Sequence, residues 1–292
     1  MKQTTKARWM LIFSMVAFGT ISIFVKGIPL SSAEISLYRA IIACIALFFY
    51  LLLTGRLRQL RVLKTAGFLL FLSGTAMGFN WILLFTAYRY TTVALSTLAY
   101  YFAPTLIILG SVFFFRERLS LRQILCFLAS TAGLVLIIGI SGGGSSDFIG
   151  LLFGIGAALL YAIVVLLNKK AGAIDGITRT WVQFASAALV LTPYVALTGG
   201  FHLPALDSAG WINLLILSLF HTGIVYVLYF TSLSSLDGQN AAILSYIDPA
   251  VSVLVSVFFL REPITALQLL GGAMILVFAM LNELAPSKEK TP

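Results

Sequence analysis

Charged side chains are scarce in this chain. Asp, Glu, Lys and Arg make up 10% of its 292 residues, while hydrophobic residues make up 60% and the mean hydropathy is +1.03. Soluble proteins average about 25% charged and about 45–50% apolar residues, so a soluble domain of this composition could not hide its apolar surface. Several apolar runs have the length of about 20 residues that a helix needs to cross a bilayer. The composition predicts an all-α integral membrane protein.

The chain also lacks the residues and motifs of metal sites and enzymes. Cys44 and Cys126 lie inside apolar runs without CxxC or Cys/His spacing, which argues against a disulfide or a metal site. Walker A, GxSxG and HExxH motifs are missing, and the run 142–144 of glycines has no following GK[ST]. We therefore predict no enzymatic activity, no cofactor and no metal.

Breaks rich in Gly, Pro, Ser and charge divide the chain into ten predicted membrane-spanning helices. Strands are not expected, because the runs are long and lack alternation of apolar and polar residues. The predicted spans are 9–26, 33–53, 66–88, 92–115, 121–140, 147–168, 178–198, 210–231, 238–260 and 266–284.

The distribution of basic residues predicts the orientation. The net charge is +9, and 15 of the 19 Lys and Arg residues fall in the segments that share a side with the N-terminus. Cytoplasmic loops carry such an excess of Lys and Arg, so both termini are predicted to be cytoplasmic in a multi-pass inner-membrane protein. The same placement in short loops argues against nucleic-acid binding. Whether the protein is a monomer or a homodimer is left open.

The chain contains an internal repeat. With a shift of 145 positions, residues 81–125 align without a gap on residues 226–270, and fourteen residues are identical, including Tyr101/Tyr246 and Pro104/Pro249. A weaker match at a shift of 143 pairs Lys26 with Lys169. Repeats of this kind are typical of transporters whose site lies where the halves meet. We predict two five-span repeats, 1–142 and 143–292, which insert with opposite polarity because five is odd.

These features resemble the EamA family of the drug/metabolite transporter superfamily. The matching elements are the ten spans, the lysines that end the first span of each half, and the two blocks Pro104…Arg116-Glu117 and Pro249…Arg261-Glu262. The resemblance implies a proton- or gradient-driven transporter, often an exporter, of amino acids or other small metabolites. It also implies a central cavity from which the fifth and tenth spans are excluded.

Charged and titratable residues inside spans are candidates for the transport site, because burying them in a membrane is costly. Asp248 precedes Pro249 in the ninth span, and its repeat mate is Ala103, so symmetry alone does not require a carboxylate there. It suits binding of a proton or a cationic group; alternatively, it caps the backbone gap at the proline. His221 is a candidate for proton coupling or substrate contact, or else a neutral interhelical hydrogen-bonding residue.

Arg39, in the second span, has the planar donor geometry that suits a substrate carboxylate. An internal ion pair with Glu34, or an arginine that reaches the outer interface, is the alternative. Pro104 and Pro249 each remove a backbone hydrogen bond at equivalent positions, which predicts paired gates or else packing kinks. Lys26 and Lys169 either close the cavity or extend to the interface. The pairs Arg116-Glu117 and Arg261-Glu262 are interpreted as structural.

Polar and aromatic residues near the prolines are the predicted cavity lining, although each is also explained by packing. The lining residues predicted are Asn80, Trp81, Tyr100, Tyr101, Tyr161, Trp181, Tyr226, Gln239, Asn240, Ser245 and Tyr246. Together these features favour a secondary active transporter that exports small polar metabolites by alternating access, with Asp248 as the predicted site of proton coupling. The alternatives are an uptake permease of the same fold, a membrane-embedded lipid-handling protein or enzyme, and a channel.

Overall fold

The computed structural model describes residues 2–116, 119–140, 145–233, 235–236 and 238–284, and within these ranges it is helical without strands. The helices are α1 (Lys2–Gly19), α2 (Ile21–Lys26), α3 (Ser32–Leu53), α4 (Leu63–Tyr90), α5 (Val93–Tyr100), α6 (Ala103–Phe115), α7 (Leu121–Ile140), α8 (Ser145–Ala171), α9 (Gly176–Thr198), α10 (Ser208–Leu215), α11 (Val225–Leu233), α12 (Gly238–Ser245), α13 (Ile247–Leu254) and α14 (Ala266–Glu283). Two π-helical segments, Ile216–Ile224 and Val255–Phe259, and two 3₁₀ segments, Arg56–Val62 and Leu203–Ala205, complete the described structure.

The helices reproduce the ten predicted spans. Seven stretches are long and apolar enough to cross a membrane, some of them made of consecutive helices such as α1 with α2. Three shorter apolar helices, Leu121–Ile137, Ile243–Phe259 and Ala266–Asn282, occupy the predicted fifth, ninth and tenth spans. The all-α membrane fold class is therefore confirmed.

The internal repeat is visible in the backbone. Arg116 and Arg261, which are repeat mates, both have a φ of 54°, a left-handed conformation that few residues other than glycine adopt. Ser120 and Thr265 follow them, and each exchanges hydrogen bonds with a glutamine three residues later, which caps the next helix. The same uncommon turn thus occurs once in each half.

Each half also has one broken span at the repeated proline. α5 ends at Tyr100 and α6 begins at Ala103, so the break precedes Pro104. In the second half the break lies at Tyr246, between α12 and α13, and precedes Pro249. Proline cannot donate the backbone hydrogen bond that would join the two segments.

The two halves are arranged with opposite polarity. Lys26 and Glu262 meet at one end of the bundle, which we call the Lys26 end. Gly110 packs against Leu166 near the other end, the Lys169 end, which brings Arg116 there while Arg261 lies beside Glu262 at the Lys26 end. Because these arginines are repeat mates, the second half is inverted relative to the first.

The last spans of the two halves, α7 and α14, cross each other at a glycine pair. A Cβ atom added to Gly133 would lie 2.6 Å from the carbonyl oxygen of Gly271, and the reverse distance is also 2.6 Å. The helices therefore approach as closely as glycine permits, as small residues allow in membranes. This pair joins the halves outside the central cavity.

Gly133→Val is expected to lower the melting temperature in detergent by about 4–8 °C, the shift that roughly 2 kcal/mol produces in a chain of this size. The matched control is Gly199→Ala, because a Cβ at Gly199 meets nothing within 4 Å. Differential scanning fluorimetry of both variants checks the prediction. Equal melting temperatures for Gly133→Val and the parent would show that the crossing adapts without cost.

Candidate functional site

A cavity of about 890 Å³ lies between the two halves and receives side chains from both. Most of the predicted lining residues do face it, and several polar residues that were not predicted join them. The predicted residues that line it are Arg39, Asn80, Trp81, Tyr100, Tyr101, Pro104, Tyr161, Lys169, Tyr226, Ser245, Tyr246 and Asp248.

Asp248 enters the cavity from the first turn of α13. Its Oδ2 atom accepts a hydrogen bond of 2.7 Å from the hydroxyl of Tyr101, the residue at the corresponding break in the first half. A carboxylate is favoured at this position by the partial positive charge of the helix N-terminus. The contact joins the two broken spans directly at their breaks.

Arg39 reaches the cavity from α3 and is 3% exposed. Its guanidinium carbon lies 4.4 Å from the ring centroid of Trp81 and 5.7 Å from that of Phe85, and its Nε atom donates to Thr222 Oγ1 at 2.7 Å. Stacking on an aromatic ring stabilises a cation in a low-dielectric site. These contacts fix the plane of the guanidinium group.

The alternative partner of Arg39, Glu34, is engaged elsewhere. Glu34 completes the capping box of α3 with Ser31 and accepts a 2.6 Å hydrogen bond from the backbone N–H of His202. The ion pair between Arg39 and Glu34 that the sequence left open is therefore not formed, and the burial of Arg39 also excludes an arginine that extends to the interface.

The cavity holds Asp248, the one acidic residue of its described lining, apart from Arg39, while the other basic lining residues, Lys169 and Arg179, lie toward the Lys169 end, where Arg179 donates to the carbonyl oxygen of Gly172. Within the described chain, no ion pair joins Asp248 to Arg39. Tyr88 and Tyr226 also line the cavity and lie within electrostatic range of both charges. A solute between the two groups would meet a cation contributed by the first half and an anion contributed by the second.

Aromatic rings form part of the remaining walls. Tyr101 and Tyr246 have ring centroids 6.3 Å apart, and those of Tyr100 and Tyr161 are 5.6 Å apart. Trp181 does not line the cavity, since it packs near Phe48 and donates its indole N–H to the carbonyl of Cys44. The walls suit an apolar or planar group beside the charges.

The two ends of the cavity differ. At the Lys169 end it is lined by the exposed residues Lys169, Gly172 and Ala173. At the Lys26 end it stops at the buried side chains of Phe85 and Tyr88, which are 1% and 8% exposed. The same two residues line a second cavity, of about 780 Å³, beyond them at the Lys26 end. A thin layer of side chains thus separates the two cavities.

Several predicted site residues lie elsewhere. His221 is buried in the π-helical segment outside the cavity lining, with its Nε2 atom 3.1 Å from Thr20 Oγ1 and its Nδ1 atom 3.2 Å from the carbonyl oxygen of Ile216. Pro249 is buried in α13 and does not line the cavity either. The side chains of Gln239 and Asn240 lie outside the described residues, although both belong to α12.

The model of the EamA-like transporter family matches residues 5–139 and 148–283 of this chain. The chain belongs to that family. It is therefore a multi-pass membrane transporter that moves a small molecule, not an enzyme, as the sequence predicted.

Two uncharacterized transporters resemble the chain over most of its length, and a named exporter resembles about half of it. An uncharacterized transporter of Bacillus subtilis (strain 168), YxxF, is 31% identical over 277 residues, which cover 94% of this chain and 88% of YxxF. An uncharacterized transporter of Archaeoglobus fulgidus is 29% identical over 93% of this chain and 94% of its own. The threonine/homoserine exporter RhtA of Escherichia coli (strain K12) is 30% identical over 144 residues, about half of each chain. A solved crystal structure aligns with a TM-score of 0.65 over 94% of this chain and 96% of its own at 18% identity, which shows the fold alone.

In this EamA chain the structure adds polar residues that sequence reasoning missed. Gln183 donates to Ser73 and Asn168 at 2.7 and 3.0 Å, and two members of this network, Gln183 and Asn168, line the cavity toward the Lys169 end. Thr222, which holds Arg39, was also missed. The sequence signal for these residues is weak, because single polar residues on apolar helices are common and only tertiary packing brings them together.

Proposed function

We propose that this EamA-family protein is a secondary active transporter that exports a small zwitterionic metabolite of the amino acid type in exchange for protons. The observation that carries the proposal is the pair of separated opposite charges in one cavity. Arg39 offers planar donors to a carboxylate, and Asp248 offers an acceptor to an ammonium group. RhtA, which is similar to about half of this chain, is a threonine/homoserine exporter, and this similarity supports the proposed substrate class.

Exchange follows from the chemistry of a single carboxylate. Asp248 is the one acidic residue among the described cavity lining. It can hold a proton or a substrate ammonium group, but not both, so loading one displaces the other. Two ligands that compete for one group are moved in opposite directions if the transporter switches between its inward- and outward-facing states only when that group is occupied.

The broken spans and the terminal lysines are the proposed gates. Pro104 and Pro249 follow breaks that are bridged by the contact between Tyr101 and Asp248. Lys26 and Lys169 lie at opposite ends of the bundle, as alternating access between inverted repeats requires. His221 holds the junction of α1 and α2 through Thr20, and we assign it a supporting role in that movement.

The proposed orientation places the Lys169 end in the cytoplasm and the protein in the inner membrane, because that end carries the excess of Lys and Arg. The cavity then opens toward the cytoplasm in the described conformation. An exporter would load its substrate in this state. An uptake permease of the same fold would release its substrate here, and the direction of the driving gradient distinguishes the two.

Flux in proteoliposomes tests the proposal. Vesicles that contain the purified protein are loaded with radiolabelled L-threonine, and an opposing proton gradient is imposed with the interior alkaline relative to the exterior. We expect efflux to accelerate with the gradient, and a membrane potential to drive it as well, since exchange of a zwitterion for one proton moves one charge. A potential of 100 mV contributes about 2.3 kcal/mol per charge, enough for a concentration ratio of roughly 50.

Substrate analogues separate the two charge contacts. Threonine methyl ester lacks the carboxylate and N-acetylthreonine lacks the ammonium group, so each should compete poorly with threonine. L-phenylalanine, which keeps both groups, tests the aromatic walls by competition. If both blocked analogues compete as well as threonine, the assignment of the charges is wrong. If flux is insensitive to the proton gradient in every vesicle preparation, exchange for protons is wrong.

A further inference from the structure

Glu262 connects the two halves at the Lys26 end, although the sequence suggested only a local structural pair with Arg261. Its Oε1 atom accepts a hydrogen bond from Lys26 Nζ at the end of α2. Its Oε2 atom accepts from the backbone N–H of Val93 at 2.8 Å and from Ser256 Oγ at 2.5 Å. The side chains of Glu262 and Lys26 are 12% and 33% exposed. One carboxylate thus holds α2, α5 and the second π-helical segment together.

These contacts lie at the barrier between the two cavities. Lys26 lines the cavity at the Lys26 end, together with Phe85 and Tyr88, and the latter two also line the central cavity. Val93, the first residue of α5, is fully buried. Separating Lys26 from Glu262 would release α2 from α5 at the point where the barrier is thin.

Helix α5 connects this cluster to Asp248. At its N-terminus, Val93 donates to Glu262 and Ala94 donates to Ser256 Oγ at 3.1 Å. Immediately after its C-terminus, Tyr101 donates to Asp248. The helix has eight residues, about 12 Å, and a helix this short moves as a rigid unit. A shift of Tyr101 is therefore transmitted to the groups that bind Glu262.

The other partner of the ion pair is also tied to the Asp248 helix. Ser252 Oγ in α13 donates to the carbonyl oxygen of Gly19 at 3.3 Å, and a Cβ atom at Gly19 would lie 2.6 Å from Val251 Cβ. Gly19 ends α1, and α2 carries the chain from there to Lys26. Movement of α13 thus affects both Lys26 and Glu262.

We infer that Glu262 and Lys26 form the latch of the Lys26-end gate, and that α5 couples this latch to the occupant of Asp248. The inference rests on the transport cycle proposed above and assigns its coupling to particular groups. While Tyr101 donates to Asp248, α5 is held in register with Glu262 and the gate is closed. When the exchange of ligands at Asp248 displaces the Tyr101 hydroxyl, α5 moves and the latch is released.

Thiol accessibility measures the latch without any substrate. The reporter is Thr97→Cys, a position on α5 that lines the central cavity and is 4% exposed, in the background Cys44→Ala/Cys126→Ala. A membrane-impermeant maleimide is applied to vesicles from the Lys26 end. A separate variant, Gly199→Cys, places a thiol in the exposed turn after α9, at the Lys26 end. Its reaction identifies the vesicles whose Lys26 end faces the reagent, so the assay does not depend on the proposed orientation.

We expect the maleimide to label the thiol at position 97 about tenfold faster in the Glu262→Gln variant than in the parent. This is the change that loss of one charge-assisted hydrogen bond gives to an opening equilibrium. Lys26→Met should have the same effect, and the double variant should be no faster than either single variant. The matched control is Arg261→Gln, which removes an exposed charge from the adjacent position and should leave the rate unchanged. Equal rates for Glu262→Gln and the parent would overturn the latch.

The coupling through α5 has a test of its own. Tyr101→Phe keeps the ring but removes the hydroxyl that binds Asp248, and it should also accelerate labelling, with no further gain in the Glu262→Gln background. Tyr194→Phe removes a hydroxyl from α9, outside the cavity lining, and serves as the control. If Tyr101→Phe leaves the rate at the parental value, the coupling is wrong even where the latch is supported. Because no solute is present, these results are independent of the efflux assay, and either proposal can fail alone.

Discussion

Asp248→Asn is expected to abolish efflux driven by a proton gradient, with a loss of at least about 100-fold in the gradient-dependent rate, since removing one charge of a buried recognition pair costs about 3–5 kcal/mol. Asparagine keeps the shape and can still accept a hydrogen bond from Tyr101, so the broken spans should remain joined. What is lost is the exchangeable proton and the charge that binds an ammonium group. Any residual flux should follow the solute gradient and be independent of pH.

Two further variants distinguish loss of the charge at position 248 from disruption of the fold. Asp248→Glu keeps the carboxylate and should retain part of the gradient-driven flux. Asp147→Asn changes an acidic residue that binds Thr91 near the start of α8, outside the cavity, and should behave as the parent. Gradient-driven efflux by Asp248→Asn at the parental rate, at matched reconstitution, would remove Asp248 from the coupling mechanism.

Arg39→Lys is expected to raise the KM for a zwitterionic solute about 10- to 100-fold, the range that follows from losing about 1.5–3 kcal/mol of charged hydrogen bonding. Lysine keeps the positive charge but cannot stack a planar group on Trp81 while it donates to Thr222 and to a carboxylate. Charge alone is therefore not enough for the predicted contact.

The effect of Arg39→Lys should depend on the solute. Competition by threonine methyl ester, which has no carboxylate, should be the same in the variant and the parent, whereas competition by threonine should weaken. The exposed residue Arg261 provides the control substitution Arg261→Lys. An equal loss of affinity for both compounds would mean that Arg39 shapes the cavity without contacting a carboxylate.

The sequence predicted the architecture because its signals are local or repeated. Apolar runs gave the ten spans, and the repeated block gave the break before Pro104 and its mate before Pro249. Helix formation in a membrane depends chiefly on run length and on the pairing of backbone groups within the helix. Both quantities can be read from a single sequence.

The partners of charged residues were harder to predict, because they depend on how helices pack. Glu262 was interpreted with its neighbour Arg261, whereas the structure pairs it with Lys26, 236 residues away in the chain. Glu34 was a candidate partner for Arg39 and instead holds His202. His221 was placed in the site because histidine can titrate, but a π-helical segment turns it toward Thr20 and presents Thr222 to Arg39.

The glycine crossing of α7 and α14 has a consequence for biosynthesis. Gly133 cannot complete its contact until Gly271 has been synthesised and inserted, and the two positions are 138 residues apart in sequence. At a translation rate of about 5–20 residues per second, α7 remains in the bilayer without its partner helix for roughly 7–28 s. The first half is thus held incomplete until the ribosome reaches the last helix, and a nascent chain that stops before α14 exposes the glycine face of α7 to the cell's membrane quality control.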